Sequence, residues 1–176
     1  MKNLSRFFLW DTMTEYEFPN APAVESREEL FAEVESWEAG PGGVVFQCME
    51  DDEAGALDYA CQLCEAVGDV TLIIEEVDTY ATPNIIPAPL RRLIKKGRHW
   101  GVSLVFVSSA PSEIHRLCTS QSRRMIVFRL IEESHLKYVR RALRDHVDLV
   151  PELPDLHFLD WQQDKGIERG VISFEK

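Results

Sequence analysis

The stretch Val70-Thr71-Leu72-Ile73-Ile74-Glu75-Glu76-Val77-Asp78 constrains the chain more than any other. An unbroken apolar and β-branched run passes directly into two carboxylates. A continuous apolar run of this length reads as a strand buried on both faces, as inside a parallel sheet. Acids at its end need a reason, because an unpaired carboxylate is costly to desolvate. The carboxyl end of a parallel strand opens onto the crevice where α/β proteins bind ligands. Adjacent acids at such an end, Glu75 and Glu76, are candidates to bind a divalent cation and to act as a base. The same residues also read as a strand followed by an acidic, solvated turn, and the stretch alone leaves both readings open.

The flanking chain supplies the sheet that such a strand requires. Arg6 to Asp11 reads as a first strand with an aromatic and apolar centre. After a loop with Pro19 and Pro22, Ser26-Arg27-Glu28-Glu29 is a capping-box signature, followed by Leu30, Val34 and Trp37 at helical spacing with Phe31 widening the face. Gly40-Pro41-Gly42-Gly43 stops that helix and Val44 to Cys48 is a second strand. Asp51-Asp52-Glu53 opens a second helix with an apolar stripe of Ala54, Leu57, Cys61 and Cys64, closed by Gly68-Asp69.

Asp78 to Pro89 reads as a long loop, and Pro87 or Pro89 opens a helix that buries Leu90, Leu93 and Ile94. Strands are expected at Val102–Val107 and Met125–Phe128, and helices around Ile114, Leu117 and Cys118 and from Glu132 to Leu143. Pro151 and Pro154 then break the helical pattern. Leu156–Trp161 and Gly170–Phe174 read as a terminal hairpin. Strands alternating with helices predict an α/β fold, a mostly parallel sheet with helices on both faces and a C-terminal β-hairpin. Residues 1–150 are expected to form the α/β domain, and 151–176 a hairpin belonging to it.

At 176 residues the chain suits one domain with a sizeable core. Its net charge of −11 disfavours a surface that binds nucleic acid or membrane all over, and leaves room for a local basic face. No apolar run approaches bilayer length, and the start, with Lys2 and Phe7-Phe8-Leu9-Trp10 turning acidic at Asp11, is not expected to be a signal peptide. The four cysteines suit a reduced, cytosolic protein. Cys61-x-x-Cys64 lacks a second pair at zinc-ligand spacing and falls on a helical apolar stripe, so both read as small buried hydrophobes. The five histidines form no ligand pattern.

From Phe7 to Leu143 the chain resembles the additional-strand P-loop ATPases of the FtsK/HerA class, in the branch carried by phages and related mobile elements. Four places carry the resemblance. Phe8-Leu9-Trp10-Asp11 with Glu15-Tyr16 is similar to that class's second strand, which ends in Asp with Glu-Tyr nearby. Leu72 to Asp78 is similar to its Walker B strand. Lys96-Gly97-Arg98-His99-Trp100-Gly101 is similar to its Gly-Arg-x-x-Gly approach to the sensor strand. Val107-Ser108-Ser109-Ala110-Pro111 is similar to its sensor motif, with Ile126-Val127-Phe128-Arg129 as the last core strand. The resemblance implies a P-loop NTPase-like fold, Mg²⁺ and ATP as ligands if the chain is active, and an oligomeric, DNA-moving assembly that is cytoplasmic or virion-associated, with no membrane. It also implies Glu75 on the metal, Glu76 as base, Ser108 and Ser109 at the sensor, and Arg98 with Arg123 or Arg124 as arginine fingers or DNA contacts.

Two departures accompany the agreement. The class places Gly-x-x-x-x-Gly-Lys-Ser/Thr ahead of its second strand, and these residues contain no such loop. Gly40-Pro41-Gly42-Gly43 is no substitute, because a strand follows it and no Lys-Ser/Thr does. The sensor motif usually reads Ser/Thr-Gln-Arg-Pro, whereas Ser109 and Ala110 stand at the Gln and Arg positions. The expected reading is a degenerate, non-hydrolysing relative of a DNA-translocating or packaging ATPase, acting as an interaction or structural module. The alternative is a true motor whose P-loop lies outside this chain or comes from a partner. Because the class orders its strands 5-1-4-3-2, the missing first strand predicts a gap beside Val102–Val107. That strand pairs directly with Met125–Phe128, or the hairpin or a second copy fills the place, and a homo-oligomer follows from the exposed edge. The basic clusters Arg91, Arg92, Lys95, Lys96, Arg98 and Lys137, Arg140, Arg141, Arg144 read either as solvated helix faces or as contacts to DNA.

Overall fold

The computed structural model describes residues 5–37 and 40–173. Two compact units divide the chain, Met1–Ser109 and Ala110–Lys176. In the first, five strands form one fully parallel sheet: β1 (Arg6–Trp10), β2 (Ala23–Val24), β3 (Gly42–Phe46), β4 (Thr71–Ile74) and β5 (Ser103–Phe106). Their order is β2-β3-β1-β4-β5. Helices α1 (Arg27–Ser36), α2 (Glu53–Val67), α3 (Val77–Tyr80) and α4 (Ala88–Lys96) connect them.

The register lines up Phe8, Val44, Leu72 and Leu104, then Trp10, Phe46, Ile74 and Phe106. These residues share one face, since side chains alternate along a strand. Trp10 packs edge-on against Phe46 and Tyr80, and Phe8 against Trp37 at the end of α1. The other face carries Leu9, Val45 and Ile73, covered by Tyr16 and Ala21 from the β1–β2 loop. Val105 continues that row beyond Ile73.

Local chemistry explains most element boundaries. The Ser26 hydroxyl accepts from the Glu29 amide and so caps α1. The Glu29 carboxylate reaches back one residue further than the capping box predicts, to the Glu25 amide at 2.8 Å. Asp52 caps α2 through Gly55 N–H at 3.0 Å. Gly42 and Gly43, expected to be part of a helix stop, open β3 instead. A Cβ at Gly42 would lie 2.3 Å from the Trp37 ring, so the strand passes where only glycine fits. Ala54 is exposed and Phe31 is on the solvent side of α1. The buried stripe of α2 runs through Leu57, Cys61 and Cys64 with Ala56, Ala60 and Leu63. The expected long loop from Asp78 begins as the single helical turn α3.

The second unit holds α5 (Arg116–Ser120), β6 (Arg124–Val127), α6 (Glu133–Leu143), a 3-10 segment (Arg144–Glu152), β7 (His157–Gln162) and β8 (Gly166–Val171). Its strands form an antiparallel sheet in the order β6-β7-β8. Val127, Val139, Leu143, Val147, Val150, Leu153 and Leu159 make its core. The hairpin's second strand starts four residues earlier than expected, at Gly166, and Phe174 lies outside the described residues. The expected direct pairing of Val102–Val107 with Met125–Phe128 does not occur, because β6 pairs with β7. Among the described residues the hairpin strands pair with β6 and with each other, and β5 pairs with β4 and no second strand. Among the described residues no helix is long and apolar enough to cross a membrane.

Candidate functional site

Because the strands of the first unit are parallel, the residues after β1, β3, β4 and β5 gather at one end of the sheet, the position of ligand crevices in α/β folds. Asp11 follows β1, Gln47 follows β3, Glu75 and Glu76 follow β4, and Ser108 and Ser109 follow β5. The sheet brings the two predicted acids and the two predicted sensor serines to one edge.

Asp11 is 2% exposed and Glu75 7%. Burial works to raise the Asp11 carboxyl, but Gln47 and the backbone N–H groups of Tyr16 and Glu15 outweigh it and hold the group below its usual range. Gln47 Nε2 donates at 2.9 Å, the Tyr16 amide at 3.0 Å and the Glu15 amide at 3.2 Å. Glu75 goes the other way. Burial pushes its carboxyl up and the charge of Asp11 adds to this, against the hydrogen bond from the Tyr16 hydroxyl. That hydroxyl donates to Glu75 Oε1 at 2.8 Å, and Tyr16 itself is pushed up to about 12. Glu75 Oε2 is buried and has no partner among the described residues.

The chain turns sharply between the two acids. Glu76 adopts φ 45°, ψ 47°, the left-handed region, which costs a non-glycine residue about 1 kcal/mol. The turn sends Glu75 toward β1 and Glu76 toward β5. There the Ser109 hydroxyl donates to Glu76 Oε2 at 3.3 Å and the Ser108 hydroxyl donates to Asp78. The Val77 amide bonds to Val107 O at 3.0 Å and closes this side. Thr12 bonds to the Glu75 carbonyl at 3.1 Å, and Tyr80 bonds to Glu53.

The donor set is all oxygen, which suits Mg²⁺. The Asp11 oxygens already accept three hydrogen bonds, whereas Glu75 Oε2 accepts none among the described residues. Among the described residues no group of three or more His, Cys, Asp or Glu is arranged for a metal. An ion here fits only if water and phosphate oxygens complete its shell, as is usual for Mg²⁺ at nucleotide sites.

The predicted arginines lie elsewhere. Arg98 is in a 3-10 turn, Gly97–Trp100, whose Trp100 carbonyl accepts from the Asp69 amide at the amino end of β4, the far end of the sheet from Glu75. Arg124 is held by a two-pronged pair with Asp160, at 2.9 and 2.8 Å, in the second unit, and Arg123 precedes it there. Cys61 and Cys64 are fully buried. Burial pushes the Cys61 thiol up to about 12, in keeping with inert core residues. The role of Gln47 in this network, and the pairing of Asp78 with Ser108, were not read from the sequence. The signal available for Gln47 was an amide at the end of an otherwise apolar strand.

No family model matches the chain. Over 89 residues it is 33% identical to "Probable helicase MJECL08" of Methanocaldococcus jannaschii, covering 48% of the chain and 17% of that relative. Over 91 residues it is 32% identical to "Probable DNA double-strand break repair helicase HerA" of the same organism, covering 49% of the chain and 18% of the relative. The matches thus span under a fifth of the length of these curated relatives. In fold the chain is similar to the genome packaging NTPase B204 of Sulfolobus turreted icosahedral virus 2. The sulfate complex gives a TM-score of 0.77 at 17% identity, covering 98% of this chain and 84% of that one. The AMPPCP complex gives 0.76 at 18%, covering 97% and 84%. The resemblance to the FtsK/HerA class therefore holds: the chain is related to HerA-type helicases and has the P-loop NTPase-like fold of a packaging ATPase.

Proposed function

We propose that these residues form the acid-and-sensor part of an ATP-driven machine that packages or translocates DNA. They hydrolyse ATP only with a phosphate-binding strand and loop supplied from outside these 176 residues. The observation that carries this reading is the uncovered side of β5. Row by row β5 is the more open strand: Leu104 and Phe106 are half-buried where Leu72 and Ile74 in the neighbouring β4 are buried, and Val105 is 44% exposed where Ile73 is half-buried. A strand this apolar with one side open invites another strand, and a loop following such a strand reaches the same edge as Glu75 and Glu76.

In this reading Glu76 takes the proton of the attacking water, held in place by Ser109. Glu75 offers its free oxygen to Mg²⁺, and Asp11 and Tyr16 fix Glu75. A bound Mg²⁺ supplies charge neutralisation for the developing phosphate negative charge. Arg98 lies at the far end of the sheet from Glu75, so as an arginine finger it would serve a neighbouring subunit's site; the working form in this reading is a homo-oligomer, cytoplasmic or virion-associated.

A second reading, a non-hydrolysing module, draws on Ser109 and Ala110, which stand where the class carries an amide and a guanidinium. Calorimetric titration of the chain with Mg²⁺-ATP, followed by the same titration after fusing a strand–Gly-x-x-x-x-Gly-Lys-Thr–helix segment ahead of it, separates the two. No heat for the chain alone and ATP turnover in the fusion, abolished by Glu76→Gln, supports the proposal. Silence in a folded fusion supports the non-hydrolysing module, and micromolar binding by the chain alone overturns both.

A further inference from the structure

Ser112 and His135 form a hydroxyl–imidazole pair that the acids of the parallel sheet do not use. Both residues belong to the second unit. Pro111 opens the 3-10 turn Pro111–Glu113 that carries Ser112. Glu132 is the N-cap of α6 and His135 lies in its first turn, three positions on and so on the same face of the helix. Tyr138, a further turn along, donates to Ile114 O at 3.4 Å and meets the Thr119 hydroxyl at 2.8 Å. It ties the helix to the chain that follows Ser112.

The Ser112 hydroxyl lies 2.8 Å from His135 Nδ1, and the Ser112 amide donates to the same nitrogen at 3.4 Å. A nitrogen that accepts carries no proton, so we assign the ring proton to Nε2. Nε2 faces Glu132 Oε2 at 3.5 Å, and the Ser134 hydroxyl donates to the other oxygen of that carboxylate. The His135 side chain is 14% exposed and Ser112 is half-buried, whereas Ile131, Glu132, Glu133 and Ser134 are all exposed. The imidazole is shielded while the hydroxyl stays within reach of a small molecule. Capping of α6 does not account for the group, because no side chain caps that helix. Its first internal bond runs from the Leu136 amide to Glu132 O, so the amides before it remain as donors beside the pair. A hydroxyl within hydrogen-bond reach of a base, with the base held by a third group, is the arrangement that covalent acyl transfer requires.

We propose that Ser112, His135 and Glu132 form an acyl-transfer site for small carboxylic esters, distinct from the acids of the first unit. Ser112 Oγ attacks the ester carbonyl carbon while its proton passes to His135 Nδ1. The bond from that carbon to the alcohol oxygen breaks, and the alcohol leaves with the proton. Water, deprotonated by the same nitrogen, then attacks the acyl-serine, releases the carboxylic acid and restores the Ser112 hydroxyl. Glu132 touches no substrate: it positions the ring and stabilises the imidazolium.

The test treats the whole chain, without nucleotide, with an alkyl fluorophosphonate, which forms an Oγ–P bond at an activated serine as fluoride leaves. Mass spectrometry counts and maps the adduct, and release of p-nitrophenolate from p-nitrophenyl acetate reads turnover. The expected result is one adduct per chain, on Ser112, and none when the chain is unfolded in urea. Ser112→Ala abolishes both adduct and turnover. His135→Gln, which still accepts from Ser112, slows both by about a hundredfold or more. Glu132→Ala slows labelling and Glu132→Asp restores it, a rescue that loss of a purely structural contact would not tie to the carboxylate. Circular dichroism checks that each variant is folded. No adduct on the wild type, an adduct on another residue, or equal labelling in urea overturns the proposal. So does a labelling rate that folded His135→Gln or Glu132→Ala leaves unchanged. The wild-type adduct map decides even where a variant fails to fold, and because nucleotide is absent it is independent of the ATP titration.

Discussion

The Tyr16 hydroxyl donates a 2.8 Å hydrogen bond to Glu75 Oε1, and the Tyr16 amide donates to Asp11 Oδ2 at 3.0 Å. One residue thus fixes the acids that end β1 and β4, and does so differently for each. Asp11 is surrounded by donors and held charged. Glu75 receives one donor, lies beside that charge, and is held closer to its neutral form. Two buried carboxylates are tolerable together because their environments push their protonation apart.

Removing the hydroxyl tests this arrangement. Tyr16→Phe leaves Glu75 with no side-chain donor among those described, so its carboxyl rises further. The variant is expected to lose about 1 kcal/mol near neutral pH. The deficit shrinks in acid, where Glu75 is protonated in both proteins and the lost bond is a neutral one. Urea melts at acid and neutral pH check this. An equal deficit at both would mean that only packing of the ring matters.

Glu75→Gln works in the opposite direction. With its folded value above the ordinary 4.5, Glu75 binds more protons in the folded state than in the unfolded one, so stability falls as pH rises through that interval. The glutamine cannot charge and still accepts from Tyr16. It is therefore expected to unfold at higher urea than the wild type above about pH 4.5, by a margin that grows with pH and then levels off. The melts are run in EDTA to exclude cations. A variant less stable across the whole range would show that the Glu75 charge is compensated.

Asp160 in the second unit gives the contrary sign. The Arg124 hydrogen bonds hold its carboxyl below 3.8, against burial. Its contribution is present above that value and is lost as pH falls through the lower, folded one. Asp160→Asn is expected to cost about 1 kcal/mol at neutral pH, a small figure because the Arg124 side chain is 57% exposed. It should also flatten the acid limb of the stability curve. Stability against pH, followed by circular dichroism, reads both effects.

What the sequence revealed and what it hid follow from range. The Ser26 cap, the Asp52 start of α2 and the Pro87-Ala88-Pro89 start of α4 are local chemistry and were legible. So was the placement of Glu75 and Glu76 at a strand's carboxyl end. Gln47 meets Asp11 only because β3 and β1 are neighbours with Trp10 opposite Phe46, and no local pattern encodes that register. Asp78 meets Ser108 for the same kind of reason, through β4 beside β5. The start of β8 was hidden by Glu168 and Arg169, whose charges mask the alternation on a strand with one face in solvent.

The open side of β5 makes a prediction readable residue by residue. In the ladder with β4, the Ser103 amide bonds to Val70 O and the Val107 amide to Ile74 O, both at 2.9 Å. Parallel pairing sends every second residue to the same side. Val105 therefore faces β4 with them, while Leu104 and Phe106 direct their N–H groups to the open side. In the isolated chain, hydrogen exchange measured by NMR should alternate: slow at Val105 and Val107, faster by about a hundredfold or more at Leu104 and Phe106. In the fusion that supplies a strand and phosphate loop, Leu104 and Phe106 should slow to match their neighbours, since their amides gain partners. Slow exchange at all four positions in the isolated chain, at dilutions where it is monomeric, would mean that this edge is already covered and would remove the support it lends to a supplied strand.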